Sequence, residues 1–287
     1  ALSLRFNLAH ALFEAGRVDE LIATAYGLLA MAALDSTDRE VLSYYLSSAL
    51  LRKAGTLPNS SSRADILGKA EAFVNLAVVS EIRDLTIHAR LVRTMVRIAQ
   101  EKWVDEMDYD IKRAIEDWQE QRKQSLSDAV RVWLNEPLQF LKEEQIIIIQ
   151  LLLYFGQIHV VKAAAVGINK KELESSVEYL ESARRLLLIS DDVEYLDRIS
   201  LEFMVNLNLG RLHYVWGLFL YSGSGNPEGI GHIKEARQRL QDCIAGTRQK
   251  ELSGSGFDLS EVYALLKGCE VILGREVNGV VLGMRGA

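Results

Sequence analysis

Two stretches of the chain carry small residues at the same spacing, each across two helical patterns joined by a turn. The two sets are Ala164, Ser176 and Ala183, and Gly217, Gly229 and Ala236. Helical hairpins that repeat every 34 residues or so need small side chains where the two helices cross most closely, at about positions 8, 20 and 27. The spacing therefore predicts stacked helical hairpins.

A third stretch, residues 7–22, has the first-helix pattern and the turn but places Leu21 and Leu28 at the two later positions. Gly16 is expected to end the first helix, because glycine readily adopts the left-handed conformation. Helical spacing predicts one inward face for this helix. That face consists of Leu4, Leu8, Ala11, Leu12 and Ala15.

Helical patterns continue along the whole chain, interrupted by few prolines. The three prolines, Pro58, Pro137 and Pro227, all fall at expected helix boundaries. We predict an all-α fold of about 11–13 helices, longer in the C-terminal half and arranged as a right-handed superhelical α-solenoid of antiparallel helix pairs. We expect one continuous solenoid with segments 1–136, 137–257 and 258–287.

Residues 271–282 allow two interpretations. Asn278-Gly279 between apolar residues favours a hairpin turn. A helix that frays towards the end of the chain explains the same residues.

Charge and cysteine content narrow the expected partners and compartment. The net charge of −6 argues against general nucleic-acid binding, which needs a basic surface. Two cysteines, Cys243 and Cys269, fall on separate predicted helices and are expected to be buried free thiols of a soluble intracellular protein, in the cytoplasm or nucleus. The apolar run 146–155 is shorter than the roughly 20 residues that cross a bilayer, so we expect no membrane span.

Motifs for catalysis, cofactors or metals do not emerge from the residue pattern. The five histidines are scattered, and the glycine-rich segment 223–229 lacks the Lys-Ser or Lys-Thr of a phosphate loop. The run Asp105, Glu106, Asp108 and Asp110 lacks the glycine of a calcium loop and suits a helix N-terminus. We therefore expect a protein that is not an enzyme and holds neither cofactor nor metal.

Arg90, Arg93 and Arg97 are the strongest candidate contacts for a partner. Spacings of three and four residues place the three guanidinium groups on one helical face. On that face they could pair with carboxylates or phosphates of a bound peptide. The alternative is that they form ion pairs with neighbouring helices.

Aromatic residues and a histidine on the first helices of the hairpins are the other candidates. By the repeat spacing they fall at or near positions that face the groove, although such a stripe also suits a core. They are Phe6, His10, Phe13, Tyr44, Tyr214 and Tyr221.

The small-residue positions resemble those of the tetratricopeptide-repeat superfamily, best over residues 6–31, 157–190 and 210–243 and less well over 38–82 and 84–123. The resemblance implies a scaffold that holds a peptide in a concave groove. Members that bind chaperone C-termini use a clamp of basic and amide residues. Phe6 and His10 stand where that clamp would need Lys and Asn, so this specialised function is not expected.

Three functions follow as hypotheses. The leading one is an adaptor or scaffold subunit of a multi-subunit complex that binds a protein or peptide partner; self-association through the solenoid ends or the tail stays open. The alternative is a regulatory or sensor module of a larger signalling or transcription protein, suggested by a chain that starts without Met inside a helix. A helical lipid-processing enzyme would need a second Asp-rich motif besides that at 105–110.

Overall fold

The structure, a computed structural model, describes residues 2–32, 34–57, 61–100, 105–135, 142–166, 169–190, 195–224, 227–251 and 259–283. Over these residues the chain is helical and has no strand, which confirms the all-α prediction. The helices are α1 Leu2–Glu14, α2 Val18–Leu29, α3 Ser36–Gly55, α4 Ser61–Ala77, α5 Arg83–Ala99, α6 Asp105–Arg122, α7 Leu126–Asn135, α8 Lys142–Val166, α9 Lys170–Ile189, α10 Tyr195–Ser224, α11 Pro227–Glu251 and α12 Ser260–Gly283. These twelve include four of 24 to 30 residues in the second half, as expected.

Neighbouring helices pack in sequence order within two compact units, Ala1–Leu126 and Ser127–Ala287. In the first unit each helix from α1 to α6 contacts the next, and α3 also contacts α1 and α5. In the second unit the same holds from α8 to α12, and α10 also contacts α8 and α12. The predicted division into three segments stays a prediction.

Local signals fix the turns at the start of the first unit. Gly16 has φ +65°, the left-handed conformation expected of it, and Asp35 caps α3 by accepting a hydrogen bond from the backbone N–H of Asp38 at 2.7 Å. Arg39 then donates to the carbonyl oxygens of Leu29, Met31 and Leu34. These bonds tie the end of α2 to the start of α3.

The predicted inward face of α1 is wrong for all but one of its residues. Leu12 is buried, whereas Leu4 is 74% exposed, Leu8 is 49% exposed, and Ala11 and Ala15 are also exposed. The buried side of the helix is formed by Ala9 together with Leu12. Helix α1 packs against α2 and α3, and the side that meets them is the covered one.

Small residues bring α10 and α11 into backbone contact, as the sequence predicts. A methyl group built on Gly217 would lie 2.7 Å from Cδ1 of Ile233 and 2.9 Å from the carbonyl oxygen of Gly229. One built on Gly229 would lie 2.9 Å from the carbonyl oxygen of Gly217. Ala236 is fully buried along the same contact. The two helices therefore cross at Gly217 and Gly229.

The contact between α8 and α9 uses a residue that the spacing missed. Ser176 and Ala183 of α9 are buried as predicted, but the close approach on α8 is at Gly156, where a methyl group would lie 2.7 Å from Cγ of Leu180. The side chain of Ala164, the predicted counterpart, lies outside the described residues. Gly156 precedes it by two helical turns, which a fixed repeat spacing does not anticipate.

Helix α8 contains a longer apolar stretch than the run 146–155 considered in the sequence. Its stretch Glu144–Lys162 has 19 residues and is long and apolar enough to cross a bilayer, so the argument from the shorter run 146–155 is wrong. Two thirds of that stretch is buried inside the protein. Such burial is what the core helix of a globular unit shows, and the absence of a span stays a prediction.

Residues 271–282 belong to helix α12. The helix runs without interruption from Ser260 to Gly283, so the hairpin interpretation is wrong and the helical one holds as far as Gly283. Cys269 on α12 and Cys243 on α11 belong to one core cluster and are both free and buried, as predicted.

Candidate functional site

Five rings from three helices of the first unit meet in one aromatic surface. His10 and Phe13 come from α1, Tyr44 and Tyr45 from α3, and His88 from α5. The helices are brought together by the contacts of α3 with α1 and α5. Three of the predicted groove residues, His10, Phe13 and Tyr44, therefore lie together.

The rings form a continuous chain of contacts. Phe13 stacks on Tyr45 with centroids 4.5 Å apart and lies 5.7 Å from Tyr44, which lies 6.0 Å from His88. Nδ1 of His10 is 2.8 Å from the hydroxyl oxygen of Tyr45 and shares a hydrogen bond with it. Aromatic pairs at these separations contribute roughly 0.5–1.5 kcal/mol beyond the area they bury, so the surface is held in place before any partner arrives.

The rings of the aromatic surface are only partly covered, and burial favours the neutral forms of Tyr44 and His88. His10 is exposed, and the other four rings are half-buried. Burial raises the pKa of Tyr44 to about 12, and burial also lowers the pKa of His88, against the opposing charge of Asp84. The exposed guanidinium of Arg52 lies 5.7 Å from the centre of the Phe13 ring. The surface thus consists of aromatic rings with the cation of Arg52 at its edge, and the charge of Glu14 also acts on Tyr44 and Tyr45.

Phe6, Tyr214 and Tyr221 lie elsewhere. Phe6 is half-buried and packs against the core cluster around Ala9 and Leu12. Tyr214 and Tyr221 belong to α10 of the second unit and pack against its core cluster of α11 and α12 residues. The hydroxyl of Tyr214 lies against Gly268 of α12, where a methyl group would overlap it.

The arginines of α5 surround a carboxylate of their own chain. Asp110 of α6 is fully buried, and its Oδ2 accepts hydrogen bonds from Nε of Arg93 at 2.8 Å and from Nη1 of Arg97 at 3.1 Å. Its Oδ1 accepts from Nη2 of Arg93 and lies 3.7 Å from Nη1 of Arg90. This cluster of α5 arginines around Asp110 is called the arginine cluster below.

Further acidic groups complete the arginine cluster. Arg97 pairs with Glu71 of α4 at 3.4 Å and Glu106 at 2.8 Å, and Arg90 lies 3.4 Å from Asp117. The three arginine side chains are only 12–15% exposed. The structure thus contains the ion pairs with neighbouring helices that were the alternative, and a peptide anion would have to displace Asp110.

A cleft of about 330 Å³ lies beside the arginine cluster, lined by Arg93, Arg97, Glu106, Tyr109 and Asp110. Both charge signs meet in this lining, so it favours neither anions nor cations. Over the part of the chain that the structure describes, no group of three or more His, Cys, Asp and Glu side chains is arranged to hold a metal ion.

Three residues at the aromatic surface, Tyr45, His88 and Arg52, were not among the predicted binding residues. Tyr45 follows Tyr44 directly, but on a helix adjacent residues point about 100° apart, so only one was expected to face the groove. His88 was one of the scattered histidines, and Arg52 lies two turns beyond Tyr45 on α3. The recurrence of rings on α1, α3 and α5, every second helix, was the available signal.

Comparison of the chain with models of protein families, with curated proteins and with solved structures gives no match.

Proposed function

We propose that this chain is a non-catalytic scaffold that binds a segment of a protein partner on the aromatic surface. The observation that carries the proposal is that His10, Phe13, Tyr44, Tyr45 and His88, from alternate helices, form one partly exposed surface. In hairpin-repeat scaffolds the first helices of successive hairpins line the binding groove. We further propose that the chain forms a right-handed tetratricopeptide-like solenoid of antiparallel helix pairs. In this role it would act inside an intracellular multi-subunit complex.

The chemistry of the surface indicates what kind of segment would bind. Rigid aromatic side chains contribute much contact area at little cost in conformational entropy, and they dominate the energetics of interfaces. Apolar side chains of the partner would cover the rings. A carboxylate of the partner would meet Arg52, whose guanidinium is exposed beside Phe13.

Affinity capture with matched variants tests the proposal. His10→Glu combined with Arg52→Glu changes an exposed ring of the aromatic surface and the exposed cation beside it. Lys69→Glu changes an exposed side chain of α4 and serves as the control. A protein bound in stoichiometric amount by the wild-type chain and by Lys69→Glu, but reduced at least about tenfold with the double variant, would support the proposal.

Equal capture by all three proteins would contradict it. A regulatory or sensor module would use the same surface, so this experiment addresses binding in either setting.

A further inference from the structure

In the second unit, two histidines face each other across the contact between α10 and α11. Nδ1 of His213 lies 2.9 Å from Nδ1 of His232, with ring centroids 5.2 Å apart and planes within 24° of parallel. The indole of Trp216 stacks on His232 at 4.3 Å. His213 is buried, and the pair lies on the same two helices as the contact between Gly217 and Gly229.

A hydrogen bond between two Nδ1 atoms depends on how many protons the rings carry. One ring must donate an N–H and the other must accept with a lone pair. The bond persists when both rings are neutral, and also when one ring is an imidazolium that donates. A second proton places N–H groups on both Nδ1 atoms, so the acceptor is lost and two positive charges lie in contact.

The charged groups that act on the two rings come from α9 and α11. Burial, then the neighbouring His232 and Arg239, lowers the pKa of His213 to about 4, and Glu181 of α9 opposes the shift. Burial also lowers the pKa of His232, opposed by Glu228 and Glu235. Helices α8 and α12 pack against α10 as well, but within the described residues neither contributes a charge to these shifts.

We propose that His213 and His232 form a pH-sensitive latch between α10 and α11, closed while the rings share a hydrogen bond and opened when both are protonated. The first proton is accommodated on His232, because the Trp216 face and two carboxylates favour a cation there. The second goes to His213, beside Arg239. This inference does not depend on the proposed binding function.

The lowered pKa of His213 determines how the stability of the contact between α10 and α11 changes with pH. The pKa of folded His213 lies below the ordinary value near 6.5, so the folded state binds fewer protons than the unfolded one between about pH 4 and 6.5. The latch therefore stabilises the contact fully above pH 6.5 and loses its effect as the pH falls towards 4.

Hydrogen–deuterium exchange of the full chain at matched pH tests the latch. In His232→Asn the side-chain amide replaces the imidazole near Nδ1 and still accepts a hydrogen bond when His213 is protonated. At pH 7 the wild type and this variant should protect α10 and α11 alike. At pH 4 amides flanking His213 and His232 should exchange at least about tenfold faster in the wild type than in the variant.

His10→Asn in the other unit is the control, and it should follow the wild type over α10 and α11. Equal exchange of the wild type and His232→Asn at pH 4 would overturn the latch.

If His232→Asn fails to fold, nitrogen-15 NMR of labelled histidines in the wild-type chain tests the latch independently. The latch predicts one pair of rings that takes up protons in two separate steps, with the second step accompanied by changes at backbone amides of α10 and α11. Two rings that titrate independently near pH 6.5 without backbone changes would overturn it.

Discussion

The buried carboxylate of Asp110 accepts two hydrogen bonds from the guanidinium of Arg93, one of them 2.8 Å long from Nε. The two residues lie on successive helices, α6 and α5, so the bonds join a helix pair at its interior. A charge removed from water in this way is tolerated only when its partners surround it. Asp110 thus makes the arginines of α5 structural residues.

Replacing Asp110 should therefore destabilise the first unit strongly. Asp110→Ala leaves Arg93 buried without its carboxylate and Arg97 with only Glu71 and Glu106, and breaking such a buried pair costs about 3–5 kcal/mol. Urea unfolding monitored by circular dichroism measures the loss. Glu116→Ala on the same helix removes an exposed pair with Arg113 and should leave the free energy of unfolding almost unchanged, because solvent screens such pairs. Similar losses for both variants would show that Asp110 does not hold α5 and α6 together.

The contact between Gly217 and Gly229 predicts opposite effects for two glycine substitutions on neighbouring helices. Gly217→Ala places a methyl group within 2.9 Å of the Gly229 carbonyl oxygen and should destabilise by about 1–3 kcal/mol through overpacking. Gly231→Ala of α11 meets no atom within 4 Å and should stabilise the helix by roughly 0.5–1 kcal/mol. Thermal unfolding of the two variants compares them. Equal effects would mean that α10 and α11 are farther apart at Gly217 than described.

Both thiols should be unreactive in the folded protein. Burial raises the pKa of Cys243 to about 12 and that of Cys269 to about 11, so the reactive thiolate is scarce at pH 8, and the side chains are also shielded. A thiol reagent such as Ellman's should label neither cysteine in buffer at pH 8 and both in concentrated urea. Rapid labelling of either thiol in the folded chain would contradict its burial.

The features that the sequence predicted correctly are the turns, the helix lengths and the close contact between neighbouring helices, which depend on local chemistry. Gly16 adopts the left-handed turn because glycine tolerates it, and Gly217 and Gly229 meet because the helices would otherwise clash. Helix order and the longer C-terminal helices followed from periodicity and sparse proline in the same way. These features require no knowledge of distant neighbours.

Two of the failures, the inward face of α1 and the role of the α5 arginines, involve a partner that the sequence does not identify. Leu4 and Leu8 have the apolar spacing of an inward face, but the helices that contact α1 cover its other side. The helical face of Arg90, Arg93 and Arg97 was correct, whereas their partner, Asp110, had been assigned to a helix N-terminus. Pairing the two required knowing that α5 lies against α6.

Site-directed photo-crosslinking tests the central claim, that a partner segment binds on the aromatic surface, most directly. A photoreactive phenylalanine analogue placed at His10 is compared with one at Lys69, both exposed positions of the first unit, in an extract of the native cells. The account predicts one dominant crosslinked protein at His10, lost on adding Arg52→Glu, and little crosslinking at Lys69. Equal crosslinking at the two positions, or a dominant product at Lys69 alone, would contradict it.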